Sequence, residues 1–421
     1  MKEKQDNIDR RNFLKAAATT GLAHAFAKVT TGYAAEDKAG PDNSKTKETD
    51  QEPKPPQVPT RKLGKTNVEI PCLTFGTFQV DVANQILLRK TLQWGVNSWD
   101  TAHNYGYGNS ELGIGKFLAK NPKVRKNLLL ITKASDAQTA DDVESRLMTS
   151  LKRMNTDYID LYYGIHKCPD PSRLTNELKR WAENAKKRKL IKLFGVTTHQ
   201  NMARILAAVA KLDWIDVVMT SYNFRLMQDT KLNAAIDACH KAGVGIVAMK
   251  TQGTGQNIRT DADKKLVGYF LKRGFTEAQA KIKAVLQDKR IASACVGMKN
   301  VKVLNENVAA AMDKIKLTQA DMQALNEYAQ ATCTSYCVGC SHICDSALPD
   351  PLRPAGICDT MRYLMYYNSY GQKAQARHLF AQIPATVRNG LLKTDYSLAE
   401  SRCPQHLPIA RLVAEAVSKL A

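Results

Sequence analysis

Eight short runs of apolar, β-prone residues recur along the middle of this chain, each followed by a segment of helical period, and few architectures accommodate that alternation. The runs fall at residues 72–77, 96–100, 128–133, 158–163, 191–196, 217–222, 245–250 and 291–297. Between them apolar residues return at three- and four-residue spacing, as in Val143, Leu147 and Leu151, or Leu232, Ile236 and Cys239. Repeated βα units of this kind predict an α/β fold with a parallel sheet, and eight of them close into a (β/α)8 TIM barrel over residues 60–325. An open doubly wound sheet is the competing architecture, but no Gly-x-Gly-x-x-Gly turn follows any run.

In such a barrel the chemistry gathers where the strands end, because the loops after their C-terminal ends form one mouth. Asp100 closes the second run, Tyr105 follows in its loop, Lys133 ends the third and His166 follows the fourth. A single His at a strand end is more often structural, and an Asp before a helix is more often its N-cap. Four polar groups from three successive strands facing one mouth make a candidate active site.

The surrounding residues strengthen this reading. Trp99-Asp100-Thr101-Ala102, Tyr105-Gly106, Asn109-Ser110-Glu111, Leu112-Gly113, Ile131-Thr132-Lys133 and Asp160-Leu161 leading to His166, followed by Gly195-Val196-Thr197, Tyr222-Asn223, Gly297 and Glu306-Asn307, resemble the aldo/keto reductases across about residues 60–315. The resemblance implies an oxidoreductase moving hydride between a nicotinamide cofactor, NADP(H) or NAD(H), and a small carbonyl or alcohol substrate. It makes Asp100, Tyr105, Lys133 and His166 the catalytic set. Tyr105 would give the carbonyl oxygen its proton, Lys133 would favour the phenolate, Asp100 would hold Lys133, and His166 would orient the substrate oxygen. The cofactor is expected at Thr197, Asn223, Gly297, Lys299, Asn300 and Asn307.

The family pattern breaks at the cofactor. A Ser-Asn pair after the fifth strand is replaced by Thr197-Thr198, a Gln of the sixth by Met219, and a Tyr of the seventh by Met249. Met219 offers neither a strong donor nor a strong acceptor to a carboxamide. Beyond Gly297 the Ser and Arg that often hold an adenosine phosphate become Met298 and Val303, leaving Lys299 and Asn300 as substitutes.

Both ends of the chain carry additions. Arg10-Arg11-Asn12-Phe13-Leu14-Lys15 and the Ala-rich run after it resemble a twin-arginine export signal in residues 1–35, with Asp9 where Ser or Thr is usual. Delivery to the periplasm is the expectation, and a cytoplasmic protein the alternative. Residues 36–59, rich in Lys, Asp, Glu and Pro, read as a disordered linker. Lys and Arg outnumber Asp and Glu 61 to 40, but no nucleic-acid module accompanies the charge, so we expect solvated faces and no nucleic acid as partner. No apolar run approaches the roughly 20 residues a transmembrane helix needs.

Residues 326–421 read as a second, small and mainly helical domain, with helical stretches at 361–367 and 409–417. Of the ten cysteines, Cys72, Cys168, Cys239 and Cys295 read as small apolar residues of the barrel, while Cys333 and Cys358 stay unassigned. Cys337-Val338-Gly339-Cys340, Cys344 and Cys403-Pro404 remain. This set resembles a bacterial-type ferredoxin module with one [4Fe-4S] cluster on Cys337, Cys340, Cys344 and Cys403, although the step from Cys340 to Cys344 is one residue longer than in that pattern. A four-thiolate zinc site and disulfides are the alternatives. The twin-arginine route carries folded proteins, so a cluster inserted before export agrees with the N-terminal signal, and a redox partner protein is the further expectation. The rival reading is a non-catalytic or electron-transfer envelope protein whose barrel has lost nicotinamide binding.

Overall fold

Each apolar run forms a strand because both faces of a barrel strand are covered, one by the interior and one by helices, so the side chains need not alternate with polar ones. A computed structural model of the chain describes residues 56–253, 260–349 and 356–421. The export signal and most of the linker lie outside the described residues.

Two short strands, β1 (Thr60–Lys62) and β2 (Glu69–Pro71), form an antiparallel hairpin ahead of the barrel. The barrel strands are β3 (Leu73–Gly76), β4 (Ser98–Asp100), β5 (Leu129–Lys133), β6 (Ile159–Ile165), β7 (Ile191–Thr198), β8 (Val217–Ser221), β9 (Gly245–Met249) and β10 (Ser293–Gly297). They pair in parallel and in chain order, and β10 closes on β3. All eight expected runs are therefore strands of one closed barrel. The hairpin was not expected. Its Leu63 and Ile70 enter the barrel interior with Ile131, Leu161, Val217 and Val247. Gly64 makes the turn with a φ of 61°, and a Cβ there would lie 2.3 Å from the Gly243 carbonyl oxygen, so only glycine lets the hairpin sit this close.

The helices bury the faces their periodicity marked. Helix Ala140–Met154 packs Val143, Leu147 and Leu151 inward, and Thr139 and Asp142 form a reciprocal cap at its start. The last residues of the expected linker are ordered: Val58 is buried, its N–H donates to the Trp94 carbonyl at 2.9 Å, and the Pro59 carbonyl accepts from Cys72 N–H at 2.8 Å.

Val58–Ala421 is one compact unit. Helix Gln319–Ala331 runs across the expected boundary at 325, and its Leu325 shares a hydrophobic cluster with Phe224, Leu266 and Phe270. Beyond it come helices Ile357–Asn368, Lys373–Ala381 and Ile409–Leu420, whose buried faces form a separate core. This C-terminal layer crosses the barrel mouth. Asn201 after β7 donates to Ser341 Oγ at 2.9 Å and accepts from His342 N–H at 3.0 Å. Gly339 approaches so closely that a Cβ would lie 2.3 Å from the His199 carbonyl oxygen.

Candidate active site

Strand geometry delivers the four expected side chains to the mouth. Asp100 and Lys133 are the last residues of β4 and β5, in adjacent strands, and His166 directly follows β6. Lys133 Nζ donates to Asp100 Oδ2 at 2.6 Å and to the Thr101 carbonyl at 2.6 Å. The two side chains are only 2% and 4% exposed, so neither charge is carried by solvent. Burial pushes the Asp100 carboxyl up, and the Lys133 ammonium opposes that push. Lys133 Nζ also lies 5.0 Å from the centre of the Tyr105 ring, whose edge is fixed by a T-shaped contact with Phe78.

The phenol behaves differently from the expectation that Lys133 would draw it down. Burial holds Tyr105 well above the ordinary tyrosine value, and the charge of Asp100 adds to the effect, followed by Tyr366 and Cys295. The reason is geometric: two of the three ammonium protons go to Asp100 and a backbone carbonyl, and Tyr105 stands in a low-dielectric site beside a carboxylate. Tyr105 is thus kept protonated, the form a proton donor needs. Cys295 also departs from its reading as an apolar filler, since its thiol donates to Asp100 Oδ2 at 3.6 Å. Glu111, buried behind the site, accepts from Thr132 at 2.7 Å and so braces β5 next to Lys133.

His166 has its protonation set by a hydrogen-bond chain. Ser135 Oγ donates to Asn104 Oδ1 at 2.9 Å, and the amide nitrogen of Asn104 points at Asp136 Oδ2 at 3.3 Å. Ser135 has only one proton to give, so at 3.1 Å it accepts from His166 Nδ1. That leaves Nε2 with a lone pair. Burial holds His166 well below the ordinary imidazole value, reinforced by Lys167, Lys133 and Arg362, so the ring is neutral.

The expected cofactor residues are scattered in condition. Thr197 Oγ1 accepts from Lys167 N–H at 2.9 Å and keeps a proton to donate. Asn223 does not have a free amide: its Nδ2 donates to the Lys250 carbonyl at 3.0 Å and to Tyr336 Oη at 3.2 Å. Met219 and Met249 are packed into the barrel interior. Gly297 is exposed at the end of β10, and Lys299 is exposed beyond it. Asn300 caps helix Val301–Met312, accepting from Val303 N–H at 2.9 Å. Asn307, 4% exposed in that helix, has a buried Nδ2 with no hydrogen-bond partner.

The structure adds residues that the sequence did not single out. Helix Ile357–Asn368 lies over the mouth, and between it and the barrel is a cavity of about 50 Å³, room for a few waters or one small oxyanion, with His199, Ser221, Lys250, Cys337, Cys358 and Arg362 in its wall. Lys250 Nζ donates to Tyr366 Oη at 3.0 Å. Burial would raise the Tyr366 phenol, but Lys250, Arg362 and Lys167 outweigh it and bring it down to about 8. The apolar period of residues 361–367 marked a helix, and nothing in it showed which partner its polar face would meet.

The cysteines gather at the same end. Cys344 and Cys403 belong to the C-terminal core, with Cys337 packed against it, and burial and then the charges of Cys337, Cys344 and Cys403 push the Cys340 thiol up. Cys358, unassigned from sequence, places its Sγ 4.0 Å from that of Cys337. Among the described residues, however, no three or more His, Cys, Asp or Glu side chains are closed on a point where they could hold a metal ion. No helix among the described residues is long and apolar enough to cross a membrane.

Comparison with known proteins gives one consistent answer. The sequence profile of the Aldo/keto reductase family matches residues 73–330. The chain is 27% identical over 221 residues to the aldo-keto reductase yakc [NADP(+)] of Schizosaccharomyces pombe, a match covering 47% of this chain and 62% of that protein, so it spans about three fifths of that relative. It is 28% identical to the aldo-keto reductase str7 of Strobilurus tenacellus, covering 65% of this chain and 92% of that one. The holo form of aldo-keto reductase AKR11C1 from Bacillus halodurans superposes with a TM-score of 0.53 at 20% identity, over 65% of this chain and 96% of that one, a likeness of fold.

Proposed function

The chain belongs to the aldo/keto reductase family, and on that premise we propose that it is an oxidoreductase interconverting a small carbonyl compound and its alcohol at Tyr105. The observation that carries this reading is the buried Asp100–Lys133 pair set 5.0 Å from the Tyr105 ring. Asp100 fixes the ammonium, and the ammonium is placed to stabilise the phenolate left when Tyr105 gives its proton to the substrate oxygen. In the reverse direction the substrate hydroxyl gives its single proton to the Tyr105 phenolate, and His166, with Nδ1–H held by Ser135, stays neutral beside it. A nicotinamide, when bound, would supply or take the hydride, and Thr197 and Asn307 would have hydrogen-bonding capacity to hold it.

The test is a fluorescence titration of anaerobically purified protein with NADPH and then NADH, followed by turnover with a panel of aldehydes. Saturable binding, with turnover falling roughly 10²–10⁴-fold in Tyr105→Phe while the fold is kept, is the expected result. A second reading, a barrel without nicotinamide that serves electron transfer, draws on the spent amide of Asn223 and the packed Met219 and Met249. Failure of both nucleotides to bind a folded protein would bring it forward.

For the C-terminal layer, our reading is one [4Fe-4S] cluster on Cys337, Cys340, Cys344 and Cys403, supported by their spacing and by their convergence at one end of the core. On this reading the thiols close on the cluster only when it is inserted. Iron and sulfide analysis with the visible spectrum separates it from zinc or disulfides. Export rests on Arg10-Arg11, and a double Arg→Lys change there is expected to keep the protein out of the periplasmic fraction.

A further inference from the structure

Three cations are enclosed between the barrel mouth and helix Ile357–Asn368, and their number exceeds the counter-charges that face them. Arg362 is 8% exposed and lines the cavity. It pairs with Asp359 one turn earlier, yet its Nε has no partner. Lys250, in the barrel wall of the same cavity, gives its ammonium to the Tyr366 hydroxyl rather than to a carboxylate. Lys167 stands behind them with Nζ 6.0 Å from the Tyr363 ring centre, and the carboxylate that acts on it, Asp136, is exposed. His199, also in the cavity wall, has a buried Nδ1 without a partner.

Enclosing several like charges around a cavity is costly unless something of opposite charge enters it. Burial lowers Lys167 and Lys250, and the cations lower one another further. In a wall that includes Met361, Met365, Leu407, Leu412 and the thiols of Cys337 and Cys358, Arg362 and Lys250 supply positive charge and His199 a ring nitrogen without a partner, a set that complements a carboxylate or phosphate.

We propose that this cavity is an anion-binding subsite, built by Arg362, Lys250 and His199 with Lys167 close behind its wall, that takes the carboxylate or phosphate group of the substrate. The assignment to substrate rests on the reading of Tyr105 as the reaction centre. Tyr366, bonded to Lys250, acts on Tyr105, and Arg362 and Lys167 act on His166, so the cations border the reacting groups. Lys299 and Asn300, expected for a cofactor phosphate, are exposed after β10 and have no place in the cavity wall. The C-terminal layer would then select a substrate by its charge while the barrel transforms its carbonyl.

Calorimetric titration of the full-length protein with inorganic phosphate and with benzoate tests the site without turnover. Saturable binding of either probe is expected, weakened at least tenfold in Arg362→Met and in Lys250→Met, and less in Arg362→Lys. The two Met variants come from different elements, so misfolding of one, seen by circular dichroism, leaves the other to decide. Absence of binding to the wild type, or unchanged binding in a folded Met variant, overturns the subsite. Source is decided by comparing 4-carboxybenzaldehyde with benzaldehyde. A preference of tenfold or more in kcat/KM for the charged aldehyde, erased by Arg362→Met, places the substrate's anion there. Displacement of both probes by NADPH with no such preference gives the cavity to a cofactor phosphate and overturns the substrate assignment. If Tyr105→Phe turns over normally, the reading of Tyr105 fails, while the calorimetry still decides whether the anion site exists.

Discussion

The ammonium of Lys250, immediately after strand β9, donates to the phenol oxygen of Tyr366 at 3.0 Å, joining two residues 116 positions apart and linking the barrel to the helix that covers it. Because Lys250, Arg362 and Lys167 bring this phenol down to about 8, a tyrosine should ionise near that pH in the folded protein. Ultraviolet difference titration is expected to show one early tyrosinate step that disappears in Tyr366→Phe. The sign for stability follows: a phenol depressed in the folded state stabilises it fully above about pH 10, and that contribution is lost as the pH falls through 8. The stability difference between wild type and Tyr366→Phe should therefore widen from pH 7 to pH 9.

Lys133→Met leaves the Asp100 carboxyl buried beside an apolar chain. Removing one partner of a buried pair typically costs about 3–5 kcal/mol, so denaturant unfolding should show a loss of that order. The double variant Lys133→Met/Asp100→Leu should recover a large part of it, while turnover stays low in both. A small loss in the single variant would mean that the pair is solvated.

Reduction should be insensitive to pH over an unusually wide range. Burial keeps Tyr105 protonated well above the ordinary value of about 10, and keeps His166 neutral well below about 6.5. If these two groups govern the step, kcat/KM for reduction is flat between about pH 6.5 and 10 apart from ionisations of the substrate and of Tyr366. A descending limb near neutrality that survives in Tyr366→Phe would contradict the assignment of Tyr105.

At the opposite end of the barrel, Arg61 in the hairpin donates to the carbonyls of Leu286 at 2.5 Å, Ile291 at 2.6 Å and Asp288 at 3.3 Å. Arg61→Ala strips three acceptors of a charged donor and should lower unfolding stability by about 1.5–3 kcal/mol without altering ligand binding at the mouth. Thermal unfolding with and without phosphate separates the two effects.

The barrel was legible because its information is local. An apolar run of strand length followed by helical period is written into consecutive residues, and the same periodicity put Asp100 and Lys133 at strand ends and His166 just beyond one, where a parallel barrel turns them to a common mouth. The hairpin was not legible, since Thr60–Lys62 and Glu69–Pro71 are three residues each and carry no alternation long enough to read. Nor could sequence show that Asp100 and Thr101 would take two of the three Lys133 ammonium protons while burial held Tyr105 up against the expected direction, or that Tyr336 and Lys250 would occupy both protons of the Asn223 amide. The same holds for Cys358, brought to 4.0 Å from Cys337 across 21 residues, and for Arg362 and Tyr366 above the mouth. Those outcomes depend on which donor meets which acceptor between segments far apart in the chain, and on how much water is excluded when they meet. By itself the sequence determined the family, the barrel and the four groups at its mouth; only the tertiary structure decided how their protons are held and what closes over them, because charge and hydrogen bonding are settled by neighbours that only packing supplies.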